Sequence, residues 1–205
     1  MLTWLRDRIR PPRGRDTAAF AAFLERQAAF VAQKTVIDYC RVKAGRHERQ
    51  TFADPDFLAA LAHCRWQTYA AAVGDVTVLA ESWLRPHAGG EKARLAAALS
   101  AIGATILAGA EPPQGERETL DAAREGLPRL LAAAQESPPV SADRLRLTAE
   151  APLLATLPIH PDQRIGETPS IRGALRFHIV STQQEMERGF DPAALVQEMR
   201  AASLR

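Results

Sequence analysis

Helix punctuation constrains this chain more firmly than any chemical motif it carries. Asp16, Asp54-Pro55-Asp56 and Asp191-Pro192 each set a capping carboxylate ahead of an apolar-periodic run, twice with proline at the first helical position, where its missing N–H is harmless. Gly45, Pro86, Pro112-Pro113 and Gly189 stand where those runs have to stop. The spacing predicts helices over 16–44, 54–85, 91–109, about 115–136 and 170–188, and a last one from 191 to about 203. Gly126 and Pro128 should split or kink the fourth, and Ser141 could cap a shorter helix through Leu147. Two stretches, 143–149 and 174–181, also alternate as strands would. Thr168-Pro169 and Gly189 favour helix for the second of these.

The predicted fold is all-α, an alanine-rich helical bundle whose first two long helices form an antiparallel hairpin across a polar turn at 46–53. Alanine supplies 39 of the 205 residues, and it favours helix and lets helices approach closely. Leu95, Leu99, Ile102 and Ile106 give the third helix a clean core stripe. Residues 16–205 read as a single helical domain. Within it, 16–110 form a three-helix core, and 111–205 supply shorter helices and a proline-rich loop at 158–169. Before that domain lies a basic arm, 1–15.

Four polar residues interrupt the apolar stripe of the first helix. At 100° per residue Phe20, Phe23, Leu24, Phe30, Val31 and Val42 share a face, and Gln27, Lys34, Asp38 and Arg41 fall near its centre. On the second helix Arg65, Thr68 and Asp75 share the face of Leu61, Val76 and Leu79. In an antiparallel hairpin Asp38 would lie within about a turn of Arg65, and Gln27 near Asp75. Three outcomes satisfy the electrostatics: a buried network that fixes register, a positive excess neutralised by an anionic ligand or a partner's carboxylate, or a face left open to water.

Chemistry-bearing motifs are missing. His47, His63, His87, His160 and His178 stand in no HExxH, ExxH or HxxxH spacing, and Cys40 and Cys64 in no CxxC pattern, so neither metal nor cofactor is expected. GxSxG, GxxxxGK[ST] and strand-borne GxGxxG are also missing. No catalytic residue is assigned, and an enzyme would have to draw on Asp38, Asp75 and His178. His63 reads as solvated. His178 reads as a hydrogen-bonded histidine on an apolar stripe, and His160 as a stiffly held residue in Leu157-Pro-Ile-His-Pro161.

Charge is concentrated at one end. Residues 1–15 carry +4, five arginines against Asp7, within a chain of net +2. The body is therefore close to neutral and offers nucleic acid no broad electrostatic footprint. Pro12-Arg-Gly-Arg15 resembles the core of an AT-hook, a minor-groove-binding segment, although Asp16 stands where that motif continues with proline. Read as a helix, the arm sets Leu2, Leu5 and Ile9 on one face with Trp4 beside them, while Arg6, Arg8 and Arg10 could reach lipid phosphates. Docking of Trp4 and Leu5 on the chain's own bundle uses the same surface. No secretory signal pattern and no run of about 18 consecutive apolar residues is found, so a cytoplasmic, in part membrane-peripheral, location is expected.

These readings converge on a non-catalytic scaffold, adaptor or assembly protein. It would act through a protein partner, a second copy of itself or a membrane surface reached by the arm. The alternatives are a bundle that holds an anionic or amphipathic small molecule, and an enzyme built on the interior Asp and His residues.

Overall fold

The aspartates placed ahead of the long helices cap them directly. In the computed structural model, which describes residues 13–202, the Asp16 carboxylate accepts from the N–H of Ala18 and Ala19 at 3.3 and 2.9 Å and opens α1, Thr17–Ala44. Asp54 accepts from Asp56 and Phe57 and opens α2, Pro55–Leu84. Beyond the 85–91 corner follow α3, Lys92–Gly109, and α4, Arg117–Ala134. The C-terminal part holds α5, Glu150–Thr156, α6, Thr168–Gly189, and α7, Pro192–Ala202, the last capped by Asp191. Helix α4 runs unbroken through Gly126 and Pro128. No strand forms among the described residues, so 174–181 is helix and 143–149 is irregular backbone.

Helix α2 is the axis of the bundle. Every residue from Ala72 to Ser82 is buried, because α1, α3, α4, α5, α6 and α7 all pack on it. A helix apolar on all sides, as Ala70–Ala80 nearly is, belongs in that position. Glycine lets the neighbours close in. A Cβ at Gly74 would stand 2.9 Å from Leu130 Cδ2 of α4, and one at Gly103 of α3 would stand 3.0 Å from Leu127 Cδ1 and 3.2 Å from Thr77 Oγ1.

Helices α1 and α2 form the expected antiparallel pair. Trp83, at the end of α2, meets Phe20, at the start of α1, with ring centroids 6.3 Å apart. That alignment is about one helical turn away from the expected register. On α1 the buried row is Phe20, Leu24, Ala28, Ala32, Val36 and Cys40, every fourth residue. Such a row winds slowly around the helix instead of keeping to one side, since four residues overshoot a turn by about 40°. Phe30 and Val42, counted on the apolar stripe by the fixed wheel, are 42% and 78% exposed for that reason.

The backbone just ahead of α1 meets the corner between α6 and α7. Gly14 bridges Phe190 at the α6–α7 corner, with Gly14 N–H donating to the Gly189 carbonyl at 2.7 Å and Asp191 N–H to Gly14 at 3.0 Å. Phe190 then packs edge-on against Phe20 at 5.1 Å. By length and composition α3 is apolar enough to cross a membrane. Its Leu95, Leu99, Gly103 and Ile106 are buried in the bundle, while Ala97, Ala101 and Ala108 face outward.

Candidate functional site

The six polar residues singled out on α1 and α2 do not converge on one cluster. Lys34 and Asp38 pair with each other at 2.8 Å, with side chains 48% and 44% exposed, so this is a solvated i,i+4 pair worth little to stability. Arg41 pairs with Glu48 and lies over the Phe52 ring. Gln27 turns to α6, donating to Glu185 and accepting from the buried Thr182 hydroxyl at 3.0 Å. Neither expected contact, Asp38 with Arg65 or Gln27 with Asp75, forms. The winding of the buried row has carried Lys34, Asp38 and Arg41 off the α2 side by the second half of α1.

Asp75 is buried, and its task is a structural one. Its carboxylate accepts from Thr148 N–H at 2.8 Å, the Thr148 hydroxyl at 2.7 Å and Ala149 N–H at 3.0 Å, taking up donors at the start of α5. A carboxylate 73 residues away thus holds the backbone that leads into that helix. Ser141 closes only a turn, and the helix expected between it and Leu147 is replaced by α5 further on. Burial pushes Asp75 up to about 6 against the pull of those donors.

Other polar assemblies went unforeseen. Glu81, fully buried, holds Arg85 through both carboxylate oxygens, and Arg85 donates onward to the carbonyls of Ala134 and Ser137, fastening the end of α4. The i,i+4 spacing of Glu81 and Arg85 was the available signal. His63 bonds through Nδ1 to the buried Glu116, which also accepts from Gln67 at 2.9 Å. This pair sits near a hollow of about 370 Å³ between α2, α4 and α5, lined by Gln67, Gly74, Thr119 and Leu127. Cys64 is buried and points its thiol at the Leu153 carbonyl. His178 makes edge contacts with Phe30 and Phe177, and among the described residues its buried Nδ1 has no hydrogen-bond partner, where a hydrogen-bonded histidine is expected. Among the described residues no group of three His, Cys, Asp or Glu side chains could hold a metal ion.

Arg65 borders a substantial hollow. Helices α1, α2 and α3 diverge to leave two neighbouring depressions of about 540 and 390 Å³ that share Glu25 and Gly109. Small side chains make the space: Ala18, Ala21 and Ala22 line one wall of the larger depression, with Ala101, Ile102 and Ile106 opposite. The smaller one is polar and aromatic, with Gln33, Arg65, Trp66, Tyr69 and Glu111 around Ala29 and Ala32. Trp66 and Tyr69 are half-buried and meet edge-on at 5.6 Å. Burial first, and the Glu25 charge second, push the Tyr69 hydroxyl up to about 12. Among the described residues the buried Nε of Arg65 has no hydrogen-bond partner, and no carboxylate lies within ion-pair distance of its guanidinium. Glu25 and Glu111 likewise have no ion-pair partner among the described residues.

The arm residues Trp4, Leu5, Arg6, Arg8 and Arg10 lie outside the described residues. No protein-family model matches this chain, and no curated protein or solved structure matches it either.

Proposed function

We propose that this chain is a non-catalytic binding protein, an adaptor or assembly factor whose α1–α2–α3 groove receives an amphipathic, basic helix of a protein partner. One observation carries the reading. The groove walls are alanine where they could have been leucine, so an open apolar trough leads into a mouth holding unpaired charges and two half-buried aromatic rings. Such a mixture of apolar floor and amphipathic aromatic rim is how a helix is received by a groove. Glu25 and Glu111 outnumber Arg65 there, which favours a basic occupant. The residues an enzyme would need speak for binding too. Asp38 is a solvated ion-pair partner, Asp75 is held by three donors, and the two belong to different surroundings.

A second reading, an anionic amphipathic small molecule, rests on the unpaired guanidinium of Arg65 at the end of an apolar trough. Fluorescence separates the two. In the full chain with Trp4→Phe and Trp83→Phe, Trp66 is the sole tryptophan reporter and lies in the groove. Titration with a synthetic leucine- and lysine-containing helical peptide should shift its emission saturably. Filling the trough with Ala22→Phe and Ala101→Phe should weaken that binding by about tenfold, roughly 1.4 kcal/mol. Saturation by dodecanoate and not by the peptide would establish the second reading. An unsaturable response to both, or equal affinity in the filled variant, would reject the groove as a binding site.

A further inference from the structure

We infer that the smaller of the two depressions is a site for a single organic ammonium group, which the partner's helix delivers as the head of a lysine. The delivery rests on the helix reading above, whereas the site rests on its own walls.

Three observations meet at the end of α3. The first is the pair of rings. Trp66 and Tyr69 stand about one turn apart on α2, and their ring planes cross at 86° with centroids 5.6 Å apart, so the hollow has two aromatic walls set nearly at a right angle. Both rings are half-buried, and among the described residues no cation lies over either of them, the Arg41 guanidinium over Phe52 being a separate contact. The negative face of an aromatic ring attracts an organic cation within about 6 Å, tryptophan most strongly, and alkylated ammonium groups are the ligands such walls suit.

The second observation is charge. Glu25 of α1 and Glu111 just beyond α3 line the hollow together with Arg65 of α2, and none of the three has an ion-pair partner among the described residues. Two carboxylates and one guanidinium leave one negative charge, which one bound cation neutralises. After burial, the Glu25 charge is the next cause that raises the Tyr69 hydroxyl, which places that carboxylate beside the aromatic walls.

The third is backbone. Gly109, the last residue of α3, and Ala110 after it form part of the wall, and α3 carries no basic residue in its last turn. The negative end of the helix dipole therefore adjoins the hollow with no cation from its own helix, and Arg117 takes only the Ala110 carbonyl there, at 3.1 Å. An anionic ligand would meet Arg65 but also both glutamates, and a neutral one would leave the excess charge standing. An ammonium group satisfies rings, carboxylates and dipole together.

Choline tests the site without a helix, in the full chain carrying Trp4→Phe and Trp83→Phe so that Trp66 reports. Choline chloride should shift the Trp66 emission saturably in the millimolar range. Sodium chloride at equal concentration should not, nor should the uncharged carbon isostere of choline, in which a tert-butyl group replaces the trimethylammonium. Glu25→Gln with Glu111→Gln, both at exposed positions, should weaken choline binding by about tenfold at unchanged circular dichroism. Tyr69→Leu should weaken it similarly, Tyr69→Phe should retain it, and Glu136→Gln, exposed beyond the C-terminal end of α4, should leave it as it is. An equal response to the isostere or to sodium chloride, or full binding by the double glutamine variant, would overturn the site.

The leucine- and lysine-containing peptide should compete with choline, and acetylation of its lysines should weaken its binding by at least about tenfold. Simultaneous binding of both, or an undiminished affinity of the acetylated peptide, would overturn delivery by the helix. If choline binds while the peptide does not, the ammonium site stands and the helix reading fails. If the peptide saturates Trp66 while choline neither binds nor competes, the helix reading stands and the ammonium site is the one that fails.

Discussion

Asp75 shows how a residue can be correctly singled out and its role still lie elsewhere. Its position on an apolar face was legible, because a charge there is costly wherever it points. Its partner was not legible, because the donors it satisfies belong to backbone in a segment whose own sequence hid the start of its helix. The same holds for Arg65, whose place on the stripe leaves a network, a ligand and open water as alternatives and which borders a hollow. Lys34 and Asp38 fall on the apolar stripe of the fixed wheel and are a surface pair, since a hydrophobicity-weighted wheel gives Phe30 and Val42 more weight than Ala28 and Ala32, and the alanines are what α1 buries. The burial of Asp75 has a measurable consequence. Native Asp75 keeps its proton up to about pH 6, while an unfolded aspartate releases it near about 3.9. Stability from this group is therefore fully present below about pH 4 and is lost as pH rises through about 6, by about 3 kcal/mol. Urea unfolding of the native chain and of Asp75→Asn at several pH values isolates it. The stability difference between them should shrink as pH rises across that window, and a difference that grows would mean the Thr148 and Ala149 donors outweigh burial.

At the scale of the element, the long helices were legible because their signals are local. Asp16, Asp54 and Asp191 each bond to N–H groups two or three residues ahead, so the sequence holds both halves of the cap. Helix α5 carries no local start signal, because the backbone ahead of it is held from α2, and α4 runs through Pro128 because Leu120, Leu127 and Leu131 bury one continuous stripe that holds it to α2 and α3. Two glycines separate packing from propensity. Gly126 of α4 has nothing within 4 Å of where a Cβ would stand, so Gly126→Ala should stabilise by about 0.5–1 kcal/mol through helix propensity alone. Gly103 of α3 faces Leu127 at 3.0 Å and Thr77 at 3.2 Å. There the same propensity gain is set against overpacking of about 1–3 kcal/mol, and Gly103→Ala should destabilise. Thermal melts of the two variants should move in opposite directions, and a common direction would show that α3 can shift away from α4 at little cost.

Over the whole molecule, the all-α bundle follows from the stripes and caps, but the groove does not, because its walls come from three helices and are defined by what alanine fails to fill. No one-helix pattern records that absence; only the arrangement of α1, α2 and α3 creates it. Whether the chain is one cooperative unit turns on α7. That helix buries Leu195, Val196 and Met199, its Glu198 accepts from Thr17 at the start of α1, and its Arg200 pairs with Glu91 and donates to the Ala88 carbonyl at the α2–α3 corner. The last helix therefore ties the first to the corner that leads into the third. If those ties couple the parts, tryptophan fluorescence and far-ultraviolet circular dichroism should report one coincident unfolding transition. Leu195→Ala, which empties a fully buried position, should then lower the midpoint of both signals together, for a loss of about 2–5 kcal/mol. A variant in which only part of the helical signal melts early, with Trp66 and Trp83 unmoved, would mean that the C-terminal helices fold as a separate layer on a self-sufficient α1–α3 core. The groove would then keep its shape without α7, and peptide binding by the variant would be unchanged.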